Sequence, residues 1–144
     1  MDRGAKIKLF LVDDDAIFLK LLEIDFRTDT NFEIGTYSTG ELCIENLSDY
    51  PDLIILDYNL DGINKNAMNG METLDKIKAF NPNIQVVMLS SQDNLEVAIN
   101  CIDHGAFDYV IKSETVFIQL NEVITTIFIH RKMEKRLNWY IHRM

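Results

Sequence analysis

Proline, glycine and cysteine are all scarce in this 144-residue chain: two, six and two residues respectively. Such a composition excludes a collagen-like or proline-rich low-complexity chain. Cys43 and Cys101 stand 58 positions apart, with no C-x-x-C pair. That excludes a disulfide scaffold and a zinc ribbon, and reads as two buried thiols in a reducing compartment. Long apolar runs are also missing. None approaches the roughly 18 residues a membrane-spanning helix needs. The basic start, Met1 to Lys8, is followed by only four apolar residues before Asp13, Asp14 and Asp15, so it lacks the apolar core of a secretory signal. Nor does the sequence repeat internally.

Basic charge is scarce over most of the chain. Residues 1–128 hold 9 Lys and Arg against 22 Asp and Glu, whereas residues 129–144 hold five basic residues and Glu134 alone. An acidic body lacks the clustered cations that neutralise phosphates, so nucleic acid is not the expected partner. The basic tail reads first as a solvated helix face. What the sequence does have is ordinary: 47% hydrophobic and 26% charged residues, enough for one domain that builds its core without metal or disulfide.

Short apolar runs alternate with amphipathic stretches. Strands are expected at 8–12, 32–38, 53–56, 85–89 and 108–111. The runs LFLV, LIIL and QVVML are nearly continuous, as suits strands buried on both faces of a parallel sheet. Helices are expected between them. The first spans Ile17 to Asp25 with Asp14 or Asp15 as its cap, and the second 40–47. The third covers 71–80 and stops at Asn81-Pro82. The fourth carries Leu95, Ala98, Ile99 and Ile102 up to Gly105, and the fifth Leu120, Val123, Ile124 and Ile127. Five β-α units imply an α/β fold with an open, doubly wound parallel sheet. Ligands of such sheets sit beyond the carboxyl ends of the strands.

Those ends carry Asp13-Asp14-Asp15, Asp57, Ser90-Ser91 and Lys112. An Asp after a strand is often only a helix cap, and a lone Ser or Lys is usually a solvated loop residue. Here, however, the polar residues end four strands of one sheet. Converging carboxylates repel by about 4 kcal/mol per pair at 4 Å. A hard divalent cation relieves that repulsion, and oxygen donors with water suit Mg²⁺ better than Zn²⁺. Cation, ammonium and hydroxyl around one carboxylate are what phosphoryl transfer to a nucleophilic Asp requires.

The segments LFLVDDD, LIILDYN, VVMLSS and GAFDYVIK, in this order and spacing, resemble the receiver domain of two-component response regulators, chemotaxis response regulators among them. The resemblance covers residues 6–128 and implies a flavodoxin-like (βα)5 sheet of strand order 2-1-3-4-5. Residues 129–144 would extend the last helix. The resemblance further implies that Asp57 is the phosphoacceptor. Asp13 and Asp14 would hold Mg²⁺ (Mn²⁺ substituting), with Asp14 the more direct ligand and the Asn59 backbone carbonyl completing the shell. Ser90 and Lys112 would bind the phosphoryl group, Ser90 and Tyr109 would form the switch, and Asn59 and Gln92 would tune dephosphorylation.

The implied partners are a histidine kinase or phosphotransfer protein and a downstream protein, with a homodimer through the C-terminal helix or the α4-β5-α5 face. The implied setting is cytoplasmic, and the implied role is a switch and not an enzyme. An N-terminal receiver of a longer regulator with a DNA-binding or enzymatic output is the alternative. A haloacid-dehalogenase-type phosphatase would want an Asp where Asn59 stands. An FMN binder would not place three aspartates in its phosphate loop.

Three features depart from the family pattern. The stretch from Asp57 to Gly70 is about five residues longer than usual, with Asp61 in place of proline, and its Gly, Asn and Asp content predicts a mobile loop. Ser113 replaces the usual proline after Lys112, leaving that bond open between cis and trans. Finally, Met133, Leu137, Tyr140, Ile141 and Met144 share one face of a helix continued beyond the domain.

Overall fold

The computed structural model describes residues 6–143. Its elements alternate along the chain: β1 (Ile7–Val12), α1 (Ala16–Arg27), β2 (Phe32–Tyr37), α2 (Gly40–Glu45), β3 (Leu53–Asp57), α3 (Gly70–Phe80), β4 (Gln85–Ser90), α4 (Leu95–Asp103), β5 (Asp108–Ile111) and α5 (Val116–Arg143). All four strand pairings are parallel and the order is β2-β1-β3-β4-β5. This is the doubly wound flavodoxin-like sheet expected.

The sheet divides two cores. Phe10, Val12, Ile54, Leu56, Val86 and Met88 point to the layer of α2, α3 and α4, where they meet Cys43, Leu74, Ile77 and Cys101. Their sequence neighbours Leu9, Leu11, Ile55, Val87 and Leu89 point the other way, onto Leu22 and Phe26 of α1 and Leu120, Ile124 and Ile127 of α5. Strands covered on both faces need apolar residues at every position, which explains the unbroken LIIL run. Each such fully buried side chain is worth roughly 1.5–3 kcal/mol. Both cysteines are free and buried.

Local chemistry sets the helix starts. Asp15 accepts the amides of Ile17 and Phe18, which makes it the α1 cap and leaves Asp14 free for other work. Thr39 caps α2 and Asn94 caps α4, while Asn69 and Glu72 form a reciprocal capping box at α3. Some boundaries differ from expectation. The second helix ends at Glu45, and residues Leu47–Asp49 tighten into a 3₁₀ turn closed by Tyr50 in the left-handed region (φ 56°). β2 stops at Tyr37, and β3 and β4 each run one residue further, taking in Asp57 and Ser90. The backbones of those two residues still pair, Asp57 opposite Leu89 and Ser90 opposite Ile111.

The loop expected to be mobile, residues 58–69, is anchored at Leu60 and Met68, while residues 62–66 between them are exposed. Leu60 is buried, Asn64 closes a turn onto Asn66 and Ala67, and the Met68 amide donates to Glu41 Oε2 at 2.9 Å. The chain then turns at Gly70, where a Cβ would lie 2.6 Å from the carbonyls of both Asp57 and Tyr58. No cis peptide bond occurs among the described residues, so Lys112-Ser113 is trans.

α5 is one continuous helix to Arg143. Arg131 reaches the loop before β3, its guanidinium 3.2 Å from the Asp52 carbonyl and 3.6 Å from the Asp52 carboxylate. Beyond it, Met133, Leu137, Tyr140 and Ile141 are exposed. Met144 lies outside the described residues. With 100° per residue, the strip Ile129, Met133, Leu137 and Tyr140 faces more than 90° away from the core-facing strip Leu120, Ile124 and Ile127. The extension therefore does not continue the helix's own core contact.

Candidate functional site

The carboxyl ends of β1, β3, β4 and β5 meet in a cleft of about 690 Å³. Its lining includes Asp14, Asp57, Asn59, Ser91 and Lys112. Asp57, the last residue of β3, is 3% exposed, and Asp13 behind it is fully buried. Asp13, Asp14 and Asp57 each bring a carboxylate oxygen within 4.8 Å of the others. At that separation a pair of charges repels by roughly 3.5 kcal/mol at an effective dielectric of 20.

One cation answers these three charges. Lys112 Nζ donates to Asp13 Oδ2 at 2.8 Å and stands 3.6 Å from Asp57 Oδ1. The ammonium also sits over the Phe18 ring, 4.4 Å from its centroid. Burial alone would lower the Lys112 pKa, but the Asp13 hydrogen bond and the Asp57 charge more than offset it and the net shift is upward. Asp57 is pushed up to about 7. Burial is the main cause, repulsion from Asp13 adds to it, and Lys112 recovers only part.

The three aspartates of the first strand end divide their tasks. Asp15 caps α1, and Asp13 Oδ1 accepts the Asp15 amide at 2.9 Å while Oδ2 takes Lys112. Asp14 Oδ2 is buried and has no hydrogen-bond partner. An orphaned carboxylate oxygen beside two further carboxylates, with one ammonium to balance three charges, is a donor set short of positive charge. Hard oxygen donors of this kind fit Mg²⁺.

Asn59 lies at the cleft, its amide donating to Asp57 Oδ1 at 3.3 Å. Ser90 is fully buried, and its Oγ accepts the Gln92 amide at 3.0 Å. Tyr109 on β5 packs against the α2–α4 core, and its hydroxyl donates to the Gln92 carbonyl at 2.6 Å. Ser90, Gln92 and Tyr109 thus form one hydrogen-bonded chain. Of the residues expected at the site, Asp14, Asp57, Asn59 and Lys112 line the cleft, Asp13 lies buried behind Asp57, and Ser90, Gln92 and Tyr109 form this chain.

Sequence reasoning missed the rim. Ile17, in the first turn of α1, and Ile63, in the long loop, are 76% and 78% exposed and both line the cleft, as does Gly62. The unusual length of the 58–69 segment was the one signal, but length alone does not say where a loop goes.

Residues 9–124 match the family described as the response regulator receiver domain. A similar curated protein is the protein-glutamate methylesterase/protein-glutamine glutaminase of Bacillus licheniformis. It is 38% identical over 120 residues, 78% of this chain but 32% of that protein, so the chain spans about a third of such relatives. Chemotaxis protein CheY of Thermotoga maritima is 27% identical over 107 residues, 73% of this chain and 85% of that protein. Among solved structures, the CheX–CheY–BeF3–Mg complex from Borrelia burgdorferi aligns over 88% of this chain and 92% of that one. Its TM-score is 0.76 at 24% identity, which speaks to the fold alone. NtrX from Brucella abortus aligns with a TM-score of 0.74 at 27% identity, over 88% of this chain and 29% of that one.

Proposed function

Because the chain belongs to the response regulator receiver domain family, we propose that it accepts a phosphoryl group on Asp57 from a histidine kinase or phosphotransfer protein and acts as a switch, not as an enzyme. The observation that carries this reading is Lys112 held between Asp13 and Asp57, with an orphaned Asp14 oxygen beside them. An Asp57 carboxylate oxygen attacks phosphorus, and the phosphohistidine N–P bond breaks with its electron pair returning to the imidazole nitrogen. Lys112, already 3.6 Å from Asp57 Oδ1, pairs with a phosphoryl oxygen. Asp13 keeps Lys112 in place. Asp13, Asp14, Asp57 and the Asn59 carbonyl hold Mg²⁺ or Mn²⁺, which when bound neutralises charge on the phosphoryl oxygens.

The switch follows from the Ser90–Gln92–Tyr109 chain. Ser90 Oγ turns from the Gln92 amide to a phosphoryl oxygen, the loop after β4 shifts, and Tyr109 follows through its bond to the Gln92 carbonyl. The α4-β5-α5 face then changes for a downstream protein. Asn59 and Gln92 tune the lifetime of the acyl phosphate. Residues 6–128 form the receiver and 129–144 its extension, helical to Arg143, whose apolar strip serves a homodimer. The setting is cytoplasmic, and no helix among the described residues is long and apolar enough to cross a membrane. A second reading, the receiver of a longer regulator, is favoured by the partial coverage of the methylesterase relatives.

The test is intact mass after incubation with Mg²⁺ and acetyl phosphate, with light scattering of both forms. A phosphoryl adduct that disappears in Asp57→Asn and in EDTA is expected. An adduct that persists in Asp57→Asn refutes the assignment.

A further inference from the structure

The long loop does more than frame the cleft. Gly62 lies directly on Asp14: a Cβ built there would be 3.4 Å from Asp14 Oδ2, the oxygen that is buried without a partner. Leu60, Ile63, Asn64 and Ala67 roof a cavity of about 180 Å³ whose floor includes Asp14. The far leg of the loop is clipped to α2 by the Met68 amide on Glu41 Oε2. Glu41 Oε1 is buried with no partner of its own, so this carboxylate is held at α2 at some expense to stability.

These observations have one physical consequence. A carboxylate oxygen stripped of water and given no donor raises the free energy of the metal-free state. A cation that takes up this oxygen recovers that cost. Were the loop short, Asp14 Oδ2 would be hydrated and a cation would first have to displace that water. We infer that the 60–68 loop, clipped by Glu41, is a positioning element that dehydrates Asp14 and thereby tightens divalent-cation binding at the Asp13–Asp14–Asp57 site. Gly62 and Glu41 touch neither the phosphoryl group nor the cation; they act through Asp14. The inference rests on the receiver reading only in that the site takes a divalent cation.

The experiment is calorimetric titration of the full chain with MgCl2 and with MnCl2, in the absence of any phosphodonor. Three proteins are compared: wild type, a deletion of residues 62–66, and Glu41→Ala. Thermal unfolding in EDTA confirms that each is folded. Glu41→Ala covers the case in which the deletion does not fold, since it removes a strained carboxylate and leaves the chain length unchanged. Losing a group that orients a metal ligand commonly weakens binding 10–100-fold. About tenfold weaker affinity is expected for both metals in both variants, with Ala substitution at exposed Glu114 unchanged as a control. Wild-type affinity in either folded variant overturns the inference while leaving the receiver reading intact. Failure of wild type itself to bind either metal overturns both.

Discussion

Replacing Asp57 by Asn removes the group proposed to carry the phosphoryl, and it should make the metal-free protein more stable. The side chain is almost fully buried, close to Asp13, and its pKa is raised from 3.8 to about 7. Between those values the unfolded chain is ionised and the folded one is protonated. Asp57 therefore contributes stability that is fully present below pH 3.8 and is lost as pH rises to 7. The loss runs at about 1.4 kcal/mol per pH unit and totals roughly 4 kcal/mol. Asparagine keeps the shape, can accept the Asn59 amide, and leaves the Lys112–Asp13 bond in place. In urea unfolding with EDTA, the stability difference between variant and wild type should widen from pH 4.5 to pH 7 and then level off. A difference that stays flat across this range, or a variant less stable than wild type at pH 8, would refute the electrostatic reasoning.

Other perturbations follow from the same geometry. Saturating Mg²⁺ at about 100 times its dissociation constant should stabilise wild type by roughly 2.7 kcal/mol and should not do so for Asp57→Asn; melting temperature with and without the ion is the check. Lys112→Ala leaves two buried carboxylates unanswered, so metal-free stability should fall by about 3–5 kcal/mol, and mass spectrometry should find little adduct. Gly70→Ala drives a methyl into the Asp57 and Tyr58 carbonyls, and urea unfolding should register a loss of roughly 1–3 kcal/mol. Tyr109→Phe deletes one hydrogen bond and should cost about 1 kcal/mol. It should leave adduct formation intact while abolishing any phosphorylation-linked change in hydrogen exchange around residues 90–94.

Much of this was legible beforehand because it is local. The apolar runs marked the sheet interior, and the polar residues after β1, β3, β4 and β5 marked the end where the cleft lies. Asn81-Pro82 and Gly105 closed their helices as read. What escaped depends on contacts distant in sequence. Asp57 and Ser90 belong to strands because Leu89 and Ile111 continue the ladder opposite them, and neither residue favours a strand by itself. Nothing in a stretch of Gly, Asn and Asp foretells that Glu41, 27 positions away, will hold the Met68 amide. The choice of Asp15 over Asp14 as helix cap likewise shows only in the fold, where the Ile17 and Phe18 amides meet Asp15 Oδ1.

The long last helix gives the molecule a lever. Arg131, pinned to the loop before β3, acts as its fulcrum, and the residues beyond, 132–143, extend about 18 Å at 1.5 Å per residue. A tilt of 5° at the fulcrum sweeps the tip through roughly 1.5 Å. Because the arm from Val116 to the fulcrum is itself about 22 Å long, a displacement at the β5 end reaches the exposed Trp139 and Tyr140 at comparable size and in the opposite sense.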